Sequence, residues 1–229
     1  MVVPNYVPDP IEIPDNVTEQ PYAARLKFIR EMQCLQIVSI MVVLGLASIP
    51  QIPVLPPIPV AIVLFAFLIG LCLIRIGLRR TPREAKVSTW TLPILLVLVA
   101  VAARTATDAG VEIWAAVVGP VFAFFYMVCC SRDFSFVGQY VLSLIASSVA
   151  IASVSLLIGH TGAYAGEALA INAAFLTYFV YDGASLLSRR RVGEQLATVV
   201  DLYRDCLNIF GFIPRVVQHW HKHRIWQLR

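Results

Sequence analysis

Apolar residues in this chain come in long runs separated by short polar or proline-rich stretches, without the strict alternation of a half-buried strand. Seven runs are legible, at about residues 33–49, 60–76, 89–103, 113–130, 137–158, 168–187 and 196–217. Most approach the ~20 residues that a helix needs to cross a hydrocarbon layer ~30 Å thick. A backbone in lipid must satisfy its own hydrogen bonds, and without a period of two a closed barrel is excluded. The pattern predicts an all-α polytopic membrane protein, a seven-transmembrane helix bundle in one domain over residues 23–217. A proline-rich surface tail, 1–22, precedes it and a basic, aromatic tail, 218–229, ends the chain.

The connections carry the orientation signal. Residues 23–32 form a basic amphipathic lead-in with Arg25, Lys27 and Arg30. The 2–3 loop adds Arg75, Arg79, Arg80, Arg83 and Lys86, the 4–5 turn Arg132, and the 6–7 loop Arg189, Arg190 and Arg191. The opposite side has Arg104 alone, in the 3–4 loop; the 1–2 loop is the stiff, uncharged PQIPVLPPIP from Pro50. This bias predicts that the N-terminus lies on the cytoplasm-equivalent side. The basic residues after the seventh run, Arg215, Lys222, Arg224 and Arg229, resist it, because a seventh crossing puts them on the other side.

Composition agrees with the pattern. The chain is 59% hydrophobic and 14% charged, with mean hydropathy +0.76, where a soluble domain is roughly 25% charged. The net charge of +4 sits at the ends of apolar runs and gives no footing for nucleic acid. Residues 1–20, with their prolines and acids, resemble neither a signal peptide nor a transit peptide. The cysteines, Cys34, Cys72, Cys129, Cys130 and Cys206, lie in apolar runs without CxxC spacing and read as small buried hydrophobes.

The seventh run is the least fit to face lipid. It carries Asp201, Arg204, Asp205, Asn208, Gly211 and Pro214, so the expected arrangement is six helices around this central last one. Asp182 closes the sixth run. A carboxylate within a bilayer faces a partner or a water-filled cavity, and Asp182 and Asp205 read as a facing acidic pair. The bland alternative for Asp182 is a headgroup-zone carboxylate paired with Arg189 or Arg190. For Asp205 it is an ion pair with no transport role. Asp201 reads as an interfacial cap for the last helix.

Four segments resemble the transmembrane Bax-inhibitor-motif family. RLKFIREMQCLQIVSI from Arg25 is similar to its R-x-x-FIRKVY-type opening, and SRDFSFVGQYVLSLI from Ser131 to its TK-x-DFS/T segment. YFVYDGASLL from Tyr178 is similar to its span-six D-T-Q motif, and VVDLYRDCLNIFGFIPRVV from Val199 to its LYLD signature. The order, spacing and chain length match as well. The resemblance implies a seven-helix protein acting as a pH-sensitive calcium leak channel, controlled by an aspartate pair at the positions of Asp182 and Asp205. This chain departs from the pattern in having YDGA for YDTQ, Arg204 for the LYLD leucine, and no charge in its second run before Arg75. The family's bacterial branch latches the pair with a span-two arginine, so Arg75 and Arg204 are the candidates for a latch or neutralising group.

The chemistry of such a pair is simple. Two carboxylates a few ångströms apart in low dielectric do not both ionise cheaply, so they share a proton and titrate together. Deprotonated, they attract a hard divalent cation, and calcium would bind weakly because two carboxylates are few for it. Arg204 has two readings: it neutralises the pair, or it snorkels outward with its stem packed on apolar neighbours.

The remaining signals are weaker. His219, His221 and His223 invite a metal, yet no further ligand is placed, and Trp220 and Trp226 make the segment read as an interfacial anchor. Gly70, Gly77, Ser143, Ser147 and Ser148 suit close helix packing. No catalytic set or phosphate loop is present, so an enzyme is not expected. Two functions stay open: a cation leak controlled by Asp182 and Asp205, and a non-conducting accessory subunit of a larger membrane assembly. The partners are the bilayer and, on the second reading, other membrane subunits. No cofactor beyond weak calcium is implied.

Overall fold

Prolines set the starts of the first three helices. Pro21 precedes α1 (Tyr22–Ala47), and prolines occupy the first turns of α2 (Pro57–Gly77) and α3 (Pro82–Asp108). There the missing N–H costs nothing, because the first turn has no acceptor for it. The structure is a computed structural model that describes residues 13–78, 81–131, 136–159 and 162–207. Among these every regular element is helical. A 3-10 turn, Ile113–Val117, leads into α4 (Val118–Cys130), and a π turn, Phe136–Val141, into α5 (Leu142–Ile158). Ser131 and Gly159 end these two helices in left-handed conformations, with φ of 49° and 75°. Then α6 (Gly162–Thr177) passes through a second π turn, Tyr178–Asp182, into the short α7 (Gly183–Leu186). The last described helix is α8 (Gln195–Leu207).

Six of these helical stretches are long and apolar enough to cross a membrane: Tyr22–Ala47, Pro57–Gly77, Arg83–Asp108, Ile113–Cys130, Gly138–Ile158 and Gly162–Leu186. Their outward faces are greasy, with Ile58, Trp90, Leu156 and Leu157 strongly exposed. The protein is a multi-pass helical membrane bundle. The lead-in and the first run prove to be one helix, and the sixth run begins at Gly162, earlier than the pattern suggested.

The last helix is central. Residues 197–205 are all buried, on every face of α8, and a helix without an exposed face lies inside its bundle. It packs on α1, α2, α3 and the end of span six. Two hydrogen bonds fix its alignment with α1: Gln195 Nε2 donates to Glu31 Oε2 at 2.6 Å, and the Ser39 and Tyr203 hydroxyls lie 3.0 Å apart. Both pairs are 164 residues apart, so α1 and α8 run parallel in one register. The remainder of the seventh run, 208–217, and the tail with His219, Trp220, His221, His223 and Trp226 lie outside the described residues.

Three expectations need correction. The N-terminal segment, read as a proline-rich surface tail, docks on the bundle itself where it is described. The Ile13 and Val17 amides donate to Ser188 and Leu187 carbonyls at 3.2 and 3.1 Å, Val17 N–H also reaches the Arg190 carbonyl at 2.9 Å, and Val17 is fully buried. Val17 joins Phe28, Ile29, Met32, Met127, Leu186, Leu187 and Leu202 in one apolar cluster. The segment straps the 6–7 connection because a lone bundle end leaves those carbonyls and that apolar surface uncovered. Second, Cys34, Cys129 and Cys130 are exposed rather than buried, and Cys72 is half-buried. A sulfhydryl needs no partner on a face bathed by lipid. Third, a methyl group added at Gly70 or Gly77 would meet nothing within 4 Å. The tight glycine is Gly119, where a Cβ would lie 2.7 Å from Asn172 Oδ1 and 2.9 Å from Leu176 Cβ. Of the serines, Ser143 and Ser147 are buried and Ser148 is half-buried. Asn172 Nδ2 donates to Ser147 Oγ at 2.8 Å.

Candidate functional site: a buried ion cluster

All residues from 179 to 190 are buried, so the chain carries its arginines inward as it turns from span six to α8. The π turn at Tyr178–Asp182 adds a residue to the helical turn and re-aims the side chains beyond it, a distortion frequent at functional sites. The result is a cluster of Glu84, Asp182, Asp201 and Asp205 with Arg75, Arg189, Arg190 and Arg204. It lies at the end of the bundle where α2 stops, α3 starts and the N-terminal segment docks.

Asp182 and Asp205 do converge, each 1% exposed, but a cation stands between them. Arg189 Nη2 is 3.5 Å from Asp182 Oδ1, and its Nη1 is 3.5 Å from Asp205 Oδ2. Ser185 steadies this bridge. Its hydroxyl bonds the Asp182 carbonyl at 2.8 Å and lies 3.2 Å from Asp182 Oδ1, while it accepts from Arg189 Nη2 at 2.7 Å. Arg204 takes the other side of Asp205, with Nε and Nη2 each 3.1 Å from Oδ1. The pair is therefore two carboxylates joined through a guanidinium, rather than two oxygens sharing a proton. The latch candidates are redistributed accordingly: Arg204 is buried against Asp205 and Asp201 rather than snorkelling, and Arg75 reaches neither member of the pair.

Asp201 is the best-held acid, and it is no interfacial cap. It has no exposed surface. Its Oδ1 lies 2.7 Å from Arg75 Nη1 and 2.7 Å from Arg204 Nη1, and its Oδ2 lies 2.7 Å from both Arg190 Nε and Arg190 Nη2. Arg190 then forks onto Glu84, Nη1 to Oε2 at 2.6 Å and Nη2 to Oε1 at 3.0 Å. Burial alone would lower the pKa of the Arg190 guanidinium; Asp201 and Glu84 reverse this and hold it above the ordinary arginine value. Paired this way, the charge tolerates its 1% exposure.

Sequence reasoning placed Asp182 and Asp205 together and named Arg189 and Arg190 only as partners in the bland alternative for Asp182; it missed the Arg189 bridge to Asp205 and the place of Glu84. The signal was present in three consecutive arginines following an intramembrane acid. Three cations in a row fit a topology determinant as well as they fit a buried clamp, and only tertiary contacts separate the two. Among the described residues no group of three or more His, Cys, Asp or Glu side chains is placed to hold a metal ion. Calcium would rest on Asp182 and Asp205 alone. No family model, curated protein or solved structure matches this chain.

Proposed function

We propose that this chain is a cation-leak protein of the Bax-inhibitor-motif type, with calcium as its ion, and that Arg189 is its latch. The carrying observation is the convergence of Asp182 and Asp205 on Arg189 at 3.5 Å each, against 2.7 Å for all four contacts to Asp201. The Arg189 bridge is longer than every contact to Asp201, and hydrogen bonds weaken as they lengthen. When Arg189 withdraws, two adjacent carboxylates present the oxygen ligands that a hard cation prefers. Acid opposes this by protonating the pair and removing the charge that draws the cation in. The N-terminus, in this reading, is on the cytoplasm-equivalent side, as the arginine and lysine bias suggests. The test is calcium flux into liposomes holding the pure protein. Flux falls on acidification and drops to the empty-liposome level with Asp205→Asn; flux indifferent to that substitution rejects the pair as its control.

One observation favours a second reading. Each of the four arginines in the cluster faces at least one carboxylate, Arg190 meeting Glu194 at 3.8 Å as well as Glu84 and Asp201, and charges paired throughout suit a static clamp. A non-conducting subunit that binds other membrane proteins needs no more. It predicts no flux in any variant, together with stable neighbours that co-purify in mild detergent.

A further inference from the structure

We propose that Tyr203 and Ser39 form a gate on a water-filled route that reaches the ion cluster from the opposite end of the bundle. The purpose of such a route rests on the cation-leak reading, whereas its existence and its test do not.

A cavity of about 300 Å³ lies among α1, α2, α3, α6, α8 and the 3-10 turn before α4. Leu44, Leu64, Ala106 and Val111 place it toward the end where α1 and α3 finish and α2 begins. Its lining is almost wholly apolar, and its polar member is Tyr203. A second space, of about 20 Å³, borders Gln36, Tyr178, Phe179 and Leu202. The two share Ile40, Phe175 and Tyr203, so these three side chains are the partition between them.

A hydrogen-bond chain fastens the partition. Ser39 Oγ donates to the Gln36 carbonyl at 2.7 Å, which leaves the Tyr203 hydroxyl to donate to Ser39 Oγ at 3.0 Å. Beyond it the lining turns polar. Gln36 is only 7% exposed, and its Oε1 has no hydrogen-bond partner. Gln33, one turn nearer the start of α1, is fully buried with neither amide atom bonded. Unpartnered buried amides are costly, and a water fits a space of roughly 10–15 Å³ or more. The small space therefore holds a water on Gln36, and Gln33 continues the polar trail along α1. Phe179, which borders the small space, is one turn before Asp182 on the way to the cluster. On the other side, the apolar cavity is a vestibule that fills and empties of water by wetting, as hydrophobic constrictions do.

Cysteine accessibility tests this without reference to ion flux. The five native cysteines are replaced, Gln36→Cys is introduced, and a membrane-impermeant cationic methanethiosulfonate is applied from the side of the 1–2 and 3–4 connections. Tyr203→Phe and Ser39→Ala each remove the same hydrogen bond and leave the packing nearly intact. Monodisperse elution confirms folding of each variant. Modification about tenfold faster in both than in the parent, the scale of one lost hydrogen bond, supports the gate. Equally slow modification in all three overturns it, as does fast modification in the parent or acceleration in one variant alone. Should no cation pass through any form of the protein, the leak reading falls while these rates still decide whether the gate exists.

Discussion

Arg190 and Asp201 are joined twice through one carboxylate oxygen, by Nε and Nη2 at 2.7 Å each. Neither residue has solvent to fall back on. Removing one partner leaves the other as a buried uncompensated charge, at a cost of about 3–5 kcal/mol. Arg190→Ala and Asp201→Asn are each expected to lower the thermal unfolding midpoint sharply in detergent. Lys27→Ala, which breaks an exposed pair to Glu31, leaves it unchanged. The Arg190 contribution does not titrate in the accessible range. Its folded pKa is raised, so the stability is complete below the unfolded value and is lost only as pH climbs through the folded one. Raising the pH to about 10, below the ordinary arginine range, therefore removes none of it.

The strap formed by residues 13–20 is the second point of weakness. Val17 is fully buried against the 6–7 connection, and such burial is worth about 1.5–3 kcal/mol for a valine. Val17→Asp expels it and uncovers the carbonyls of Leu187, Ser188 and Arg190. Hydrogen exchange across residues 186–194 is expected to accelerate, while exchange in α5, distant from the strap, stays as it was. Equal exchange in the 6–7 connection contradicts the strap.

Helix packing on the other side depends on Gly119. A methyl group there collides with Asn172 and Leu176, and overpacking of this kind costs about 1–3 kcal/mol. Gly119→Ala is expected to lower the unfolding midpoint, whereas Gly70→Ala, facing open space, does not. The Ser147–Asn172 hydrogen bond is a separate term. A double-mutant cycle should return a coupling of about 0.6 kcal/mol, the average for interhelical hydrogen bonds in membranes.

Much of the architecture was written in the hydrophobic pattern, because lipid admits few alternatives. The 113–130 run matches its span to the residue, and the poor lipid fitness of the last run marked it as central. What the pattern did not reveal is partner choice. Arg189 and Arg190 look the same as Arg191 along the chain, yet the first two are buried and the third is half-buried, its Nε bonded to the Pro14 carbonyl. Asp201 was misjudged because its nearness to the start of the helix suggested an interface. The N-terminal strap was illegible for another reason: residues 13–20 carry no helical period, and their fixity comes from the carbonyls of a connection more than 160 residues away.

The latch is tested most directly by calcium flux in liposomes holding wild type, Arg189→Gln, or Arg189→Gln with Asp205→Asn, each shown to elute as a folded species. Withdrawal of the guanidinium from Asp182 and Asp205 predicts flux severalfold above wild type in the single variant, returning to the empty-liposome level when Asp205 is also neutralised. Equal flux through wild type and Arg189→Gln, or a gain that survives the loss of the Asp205 charge, contradicts the account.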